Sequence, residues 1–203
     1  MLRHFFTLLL LLGSLTSIFS AWSCDCIWQG PFSEVYKNAD LIVSGKISTN
    51  KGNSVDLEVE ELLLGKEYSP QIRIWMQTAN LCRPSVEKFP PKSRWVMALS
   101  RITEDSPESF NPNTPSISHG RVNDYSLSKC GGYWLKLIET RVSGNLTGGT
   151  RWEMNPKMTP VLLDLLADYI AGNMSLDKLT EASRQNNLSR ELMYDTKSFL
   201  RQQ

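Results

Sequence analysis

Histidine is nearly absent from this chain of 203 residues, which holds only His4 and His119. Zinc chemistry resting on a histidine pair is therefore excluded downstream of the amino-terminal leader. Net charge is nearly absent too, at +1, so no field draws the protein to nucleic acid or to an anionic membrane. No G-x-S-x-G elbow and no phosphate-cradling glycine loop occurs; Gly131-Gly132 and Gly148-Gly149 read as turns. Glu60-Glu61 and Glu104-Asp105 read as a solvated strand edge and a loop rather than as acid and base. His119 lies in a Ser/Pro-rich loop, where a lone imidazole is expected to be solvated. Internal repeats are missing. These absences point to a protein that is not an enzyme, with no catalytic residue and no cofactor or metal to assign.

The amino terminus carries a leader. Arg3 and His4 precede the apolar run from Phe5 to Leu12, too short to span a bilayer, and Ala21-Trp22-Ser23 offers small residues at the two positions a signal peptidase reads. Cleavage after Ser23 makes Cys24 the first residue of a secreted or periplasmic protein. The alternative is a lipoprotein anchored at Cys24, but Trp22 stands where such signals take a small or β-branched residue. Losing residues 1–23 removes Arg3 alone among the Lys, Arg, Asp and Glu side chains, so acids and bases then balance. About 180 residues remain, enough for one domain with its own core, and no second apolar run spans a membrane.

Cys24, Cys26, Cys82 and Cys130 all lie in the exported part, an even number that reads as two disulfides in an oxidising compartment. A Cys24 to Cys26 ring is disfavoured, because alternate residues of an extended chain stand roughly 6.6 Å apart at Cα, near the limit of disulfide geometry. Each of the two is expected to reach a distant partner, which leaves two pairings open.

The periodicity then changes twice. Gly30-Pro31 opens a short helix with Phe32, Val35, Tyr36 and Ala39 on one face. Strands follow at Leu41–Ile47, at Val55, Leu57 and Val59 alternating with acids, at Ile72, Ile74 and Met76, at Arg94–Leu99 and at Tyr133–Leu137. Thr103 to Asn123 reads as a long loop. Five short strands separated by turns suggest a small barrel. Beyond Gly149 the period is helical: Thr159 and Pro160 start a helix Val161–Ala171 closed by Gly172, Ser175 caps a second, and Leu188, Leu192, Thr196 and Phe199 space out a third.

Cys24-Asp25-Cys26, a short helix and then Asn38-Ala39-Asp40-Leu41-Ile42-Val43-Ser44-Gly45-Lys46-Ile47 resemble the start of the tissue inhibitors of metalloproteinases and the wider netrin-like domains, and also resemble uncharacterised bacterial secreted proteins of that kind. The resemblance covers Cys24 to about Leu137. It implies an α+β chain: a five-stranded OB-type barrel over 24–150, after the signal peptide 1–23, with a helical extension over 151–203 packed on or following it. It also implies bridges Cys24 to Cys82 and Cys26 to Cys130, loops worth about 4 and about 5 kcal/mol in chain entropy.

The resemblance further implies a binding wedge, in which the α-amino group and carbonyl of Cys24 chelate the zinc of a protease and Asp25 enters its specificity pocket. The animal inhibitors carry a small hydroxyl residue there, whereas a carboxylate entering an apolar pocket costs several kcal/mol unless paired. The expectation is thus a non-catalytic binding module, its partner a protease-like protein or a glycan. One alternative is an exported thiol-redox or soft-metal protein using Cys24 and Cys26. Another is an OB module holding an oligosaccharide or peptide on Trp28, Trp75, Trp95, Trp134 or Trp152, with Trp75 expected to be exposed beside Arg73.

Overall fold

The computed structural model describes residues 24–78, 81–104, 119–148 and 158–184. The leader, most of the Ser/Pro loop, Trp152 and the expected third helix lie outside the described residues.

Pro31 ends an extended segment (ψ 171°) and starts helix α1 (Phe32–Val35), continued as a 3-10 turn over Tyr36–Asn38. Phe32 and Val35 are buried, and Asp40 then fastens the next strand: its N–H donates to Leu99 O (2.9 Å) and its carboxylate accepts from Arg101 N (2.8 Å). Strand β1 (Leu41–Lys51) turns at Gly52, φ 56°, into β2 (Ser54–Leu64), its antiparallel partner. β3 (Gln71–Trp75) pairs antiparallel with β2, and β4 (Arg94–Arg101) pairs antiparallel with β1 from Leu41↔Leu99 to Lys46↔Arg94. The two-residue β5 (Tyr125–Ser126) lies parallel to β3 and antiparallel to β4. The circuit β1-β2-β3-β5-β4 and back to β1 closes a five-stranded OB-type barrel.

β1 shifts register against β2 at three places, one of them between Ser44 and Gly45, and such irregularities let a strand curve towards closure. A Cβ on Gly45 would stand 2.4 Å from Glu58 O and 2.7 Å from the Leu57 side chain.

Three strands extend the sheet. β6 (Trp134–Ile138) pairs with the first half of β4, β7 (Arg141–Ser143) with β6, and β8 (Val161–Leu162) with β7. The strand expected at Tyr133–Leu137 is thus present as β6, but the fifth barrel position belongs to Tyr125–Ser126. The expected helix start is also corrected. Val161 and Leu162 are strand, and helix α2 runs Leu163–Ile170 with no side-chain cap. Thr159 does not cap it, since its hydroxyl donates to Arg184 O (2.8 Å). Gly172, φ 80°, closes the helix as expected, and α3 (Leu176–Ser183) is capped by Ser175, which accepts from Lys178 N.

Leu163, Leu166, Tyr169, Ile170 and Leu179 share one apolar cluster with the barrel interior, and the Tyr169 hydroxyl donates to Ser33 O (2.9 Å) within α1. Trp75, expected exposed, is only 6% exposed. The chain returns over it at Gly120, where an added Cβ would lie 3.1 Å from the indole, and its N–H donates to Asp124 Oδ2 (2.8 Å).

Candidate functional site

Both bridges are formed: Cys24 with Cys82, Cα atoms 5.3 Å apart, and Cys26 with Cys130, 5.7 Å apart. Backbone bonds tie the bridge partners together, Lys129 N to Cys82 O (2.9 Å) and Gln29 N to Cys130 O (2.7 Å). The Tyr133 hydroxyl adds a bond to Gln29 Oε1 (2.7 Å). Between these staples Cys24 is buried, Asp25 is exposed and Ile27 is 89% exposed. The amino-terminal segment is a ridge locked at two points with two side chains presented outward. The Sγ atoms of Cys24, Cys26 and Cys82 lie within 4.8 Å of one another. That is a soft-metal donor set only for the reduced chain, since no cysteine is free and a disulfide sulfur offers no thiolate.

A polar cavity of about 270 Å³ opens on the barrel wall between Asp56, Glu67, Gln71, Arg73, Asp124 and Tyr125. Its carboxylates are committed. Asp56 accepts two bonds from the Arg73 guanidinium (2.7 and 3.0 Å) and one from Thr49 (3.2 Å). The Arg73 bond leads the causes that hold its carboxyl below the ordinary Asp value. Glu67 accepts from the Tyr125 hydroxyl (2.6 Å) and from the N–H groups of Tyr68 (2.8 Å) and Ser69 (2.9 Å). Burial alone would raise its pKa, but those bonds and the charge of Arg101 outweigh it and the net direction is down. Tyr125 is pushed up, first by burial and then by Glu67. Arg101 completes the cluster, bonded to the Tyr125 hydroxyl with its guanidinium 4.8 Å from the ring centroid. An acid that already accepts every donor around it is a poor proton shuttle and a good brace. Sequence reasoning missed this cluster, because residues 67, 101 and 125 share no spacing signal.

A second cavity, of about 180 Å³, lies beside the ridge between Trp28, Lys88, Lys129 and Trp134, with Gly131, Gly132 and Asn145 completing its wall. Gly131-Gly132, expected as a turn, is also a close approach: a Cβ on Gly132 would stand 2.7 Å from both Phe32 N and Asn145 O. The Lys88 ammonium sits 5.6 Å from the Trp134 ring centroid. Trp134 in turn packs edge-on to Phe89, as does Trp95, so of the candidate tryptophans Trp28 is the one outside the core and its packed fringe among those described.

The other candidates fall apart spatially. His119 is not solvated as expected: its Nε2 is buried with no partner among the described residues, and its carbonyl accepts from Arg83 (2.6 Å). Burial pushes the Arg83 guanidinium down to about 10. Glu60 is exposed and held by Arg94 (2.6 Å), while Glu61 and Glu104 are exposed.

The class defined by this fold and these sites is a closed OB-type barrel whose amino-terminal segment is stapled to it by two disulfides. No protein-family model, curated protein or solved structure matches the chain.

Proposed function

We propose that the protein is an exported, non-catalytic binding module that engages a protein partner through the ridge Cys24 to Ile27, in the manner of an inhibitor's wedge. The observation that carries this reading is the exposure of Asp25 and of Ile27, at 89%, on a segment fixed at Cys24 and Cys26 to residues 58 and 104 positions away. A large apolar side chain held outward on a rigid segment loses little entropy on docking, which is the thermodynamic gain of preorganisation. The binding role is favoured over catalysis by the wall cavity, whose acids are bonded to Arg73, Tyr125 and Trp75.

The test is site-specific photo-crosslinking in the exported protein. A crosslinker at position 27 is expected to trap one protein species from the same compartment, and one at exposed position 136 on β6 is not. Asp25→Ala should weaken the adduct. No adduct at 27, or the same adducts at 27 and 136, rules the ridge out as the contact.

A further inference from the structure

The two bridges meet at one point. Cys24, Cys26 and Cys82 bring their Sγ atoms within 4.8 Å of one another, although Cys24 and Cys82 form one bridge and Cys26 belongs to the other. The far sides of the bridges also touch, since Lys129 N, one residue before Cys130, donates to Cys82 O (2.9 Å). Cys26 thus stands beside a second sulfur as well as its own partner, at a separation that χ1 rotation of the two side chains can close. Exposure orders the four sulfurs. Cys24 and Cys130 are buried, at 7% and 6%, whereas Cys26 and Cys82 are partly exposed. An incoming thiolate therefore meets one accessible sulfur in each bridge, and attack on either expels a buried one.

We propose that this cluster is a thiol–disulfide exchange site, at which an external dithiol converts the two bridges into a single Cys26–Cys82 bridge. The dithiol closes to its own disulfide and gives the chain two electrons and two protons. When it opens Cys26–Cys130, the Cys26 thiolate attacks Cys82 Sγ. The Cys26–Cys82 bond forms, the Cys24–Cys82 bond breaks, and Cys24 leaves as a thiolate that takes up a proton. When it opens Cys24–Cys82 instead, the Cys82 thiolate attacks Cys26 Sγ and expels Cys130. Both routes end in the same species. Its thiols, Cys24 and Cys130, are the two buried cysteines, and a buried uncharged thiol packs as a small apolar group. Attack of Cys26 on Cys24 does not compete, because alternate residues of an extended segment stand near the limit of disulfide geometry. The product holds the ridge by a covalent bond at Cys26 alone. The exchange does not depend on the ridge having a protein partner.

The test is peptide mapping after thiol blocking at acid pH, where loss of the thiolate arrests exchange. Wild-type protein treated with one equivalent of dithiothreitol is expected to yield a Cys26–Cys82 peptide pair, with Cys24 and Cys130 blocked. Two variants approach the same bond from opposite sides. Cys130→Ser leaves the Cys26 thiol beside the Cys24–Cys82 bridge, Cys24→Ser leaves the Cys82 thiol beside the Cys26–Cys130 bridge, and each should yield Cys26–Cys82. The yield should not change with protein concentration, as for a reaction within one chain. Recovery of native bridges alone from the treated wild type, with Cys26 and Cys130 or Cys24 and Cys82 blocked as pairs, overturns the proposal whether or not the variants fold. A Cys24–Cys26 ring, or a yield that rises with protein concentration, overturns it as well.

Discussion

Asp56 and Glu60 both face an arginine, yet the two pairs differ in consequence. Arg94 and Glu60 keep about a third of their side-chain surface in water (35% and 33%), where an ion pair contributes about 0–1 kcal/mol. Asp56 keeps only 10%, so its bonds from Arg73 and Thr49 replace water that it has lost. Glu67 is in the same position, bonded to Tyr125 and two backbone N–H groups and 14% exposed. Both acids titrate below their ordinary values of 3.8 and 4.5. The sign follows. A depressed folded pKa means that the unfolded chain takes up the proton first on acidification, so this stability is present above the unfolded value and is lost as pH falls through the folded one. The melting temperature should therefore drop below about pH 4.5. Glu67→Gln keeps an acceptor for the Tyr125 hydroxyl but cannot titrate, and it should be less stable than wild type at pH 7 with a shallower loss on the acid side. A calorimetric series from pH 7 to 3 checks this, and parallel curves for the two proteins would show that Glu67 is not linked to folding.

Among the elements, β1, β2 and β4 were legible because each is long enough to display its pattern. Val55 and Leu57 alternate with acids, of which Glu58 is exposed but Asp56 is buried in its pair with Arg73, and Leu41–Val43 and Val96–Leu99 are buried on both faces and read as unbroken apolar runs. β5 was not legible, since two residues carry no periodicity and Tyr125–Ser126 becomes a strand only by lying between β3 and β4. The first turn expected for the helix at Val161 failed for a related reason. Val161 and Leu162 are apolar in either state, and the decision comes from β7, remote in sequence, which offers its edge to them. The ridge was legible in its cysteines, whereas the Trp28 cavity was not, because residues 28, 88, 129 and 145 meet only through the closed barrel and the bridge at Cys130. That bridge can be tested as an element. Cys26→Ser opens the longer loop, of separation 104, while Cys24 to Cys82 still holds the segment. Denaturant unfolding should show a loss of roughly 2–5 kcal/mol, the usual effect of removing a native disulfide. The wild-type protein should show no titratable thiol and the variant one. Two or more reactive thiols in the native wild type would instead favour the redox or metal-capture reading of Cys24 and Cys26.

At the scale of the whole molecule, the ridge is rigid because every layer contributes to holding it. The bridges join it to the segments at Cys82 and Cys130, α1 packs Phe32 and Val35 into the core, and Tyr169 of α2 bonds to Ser33 O from the far end of the chain. Rigidity favours a wedge, but the side chain presented decides which partner accepts it. If the mature chain begins at Cys24, its α-amino group titrates near 8 and can lose its proton to a zinc ion, as ligands at metal sites commonly do. Asp25 would then enter the neighbouring pocket. In a matrix-type zinc protease, where the resembling inhibitors place a small hydroxyl residue, its carboxylate gives up its water on entering an apolar pocket and the cost is several kcal/mol. Since about 1.4 kcal/mol is tenfold in affinity, that cost removes on the order of a hundredfold or more. The purified mature protein should therefore leave such proteases active, and Asp25→Thr should inhibit them measurably, with the inhibition abolished by acetylating the terminal amine. Potent inhibition by the wild type would show that a cation in the pocket meets Asp25 and would overturn the desolvation argument. Failure of Asp25→Thr to inhibit would show that the terminal amine does not reach zinc, and would leave Ile27 as the ridge's principal contact.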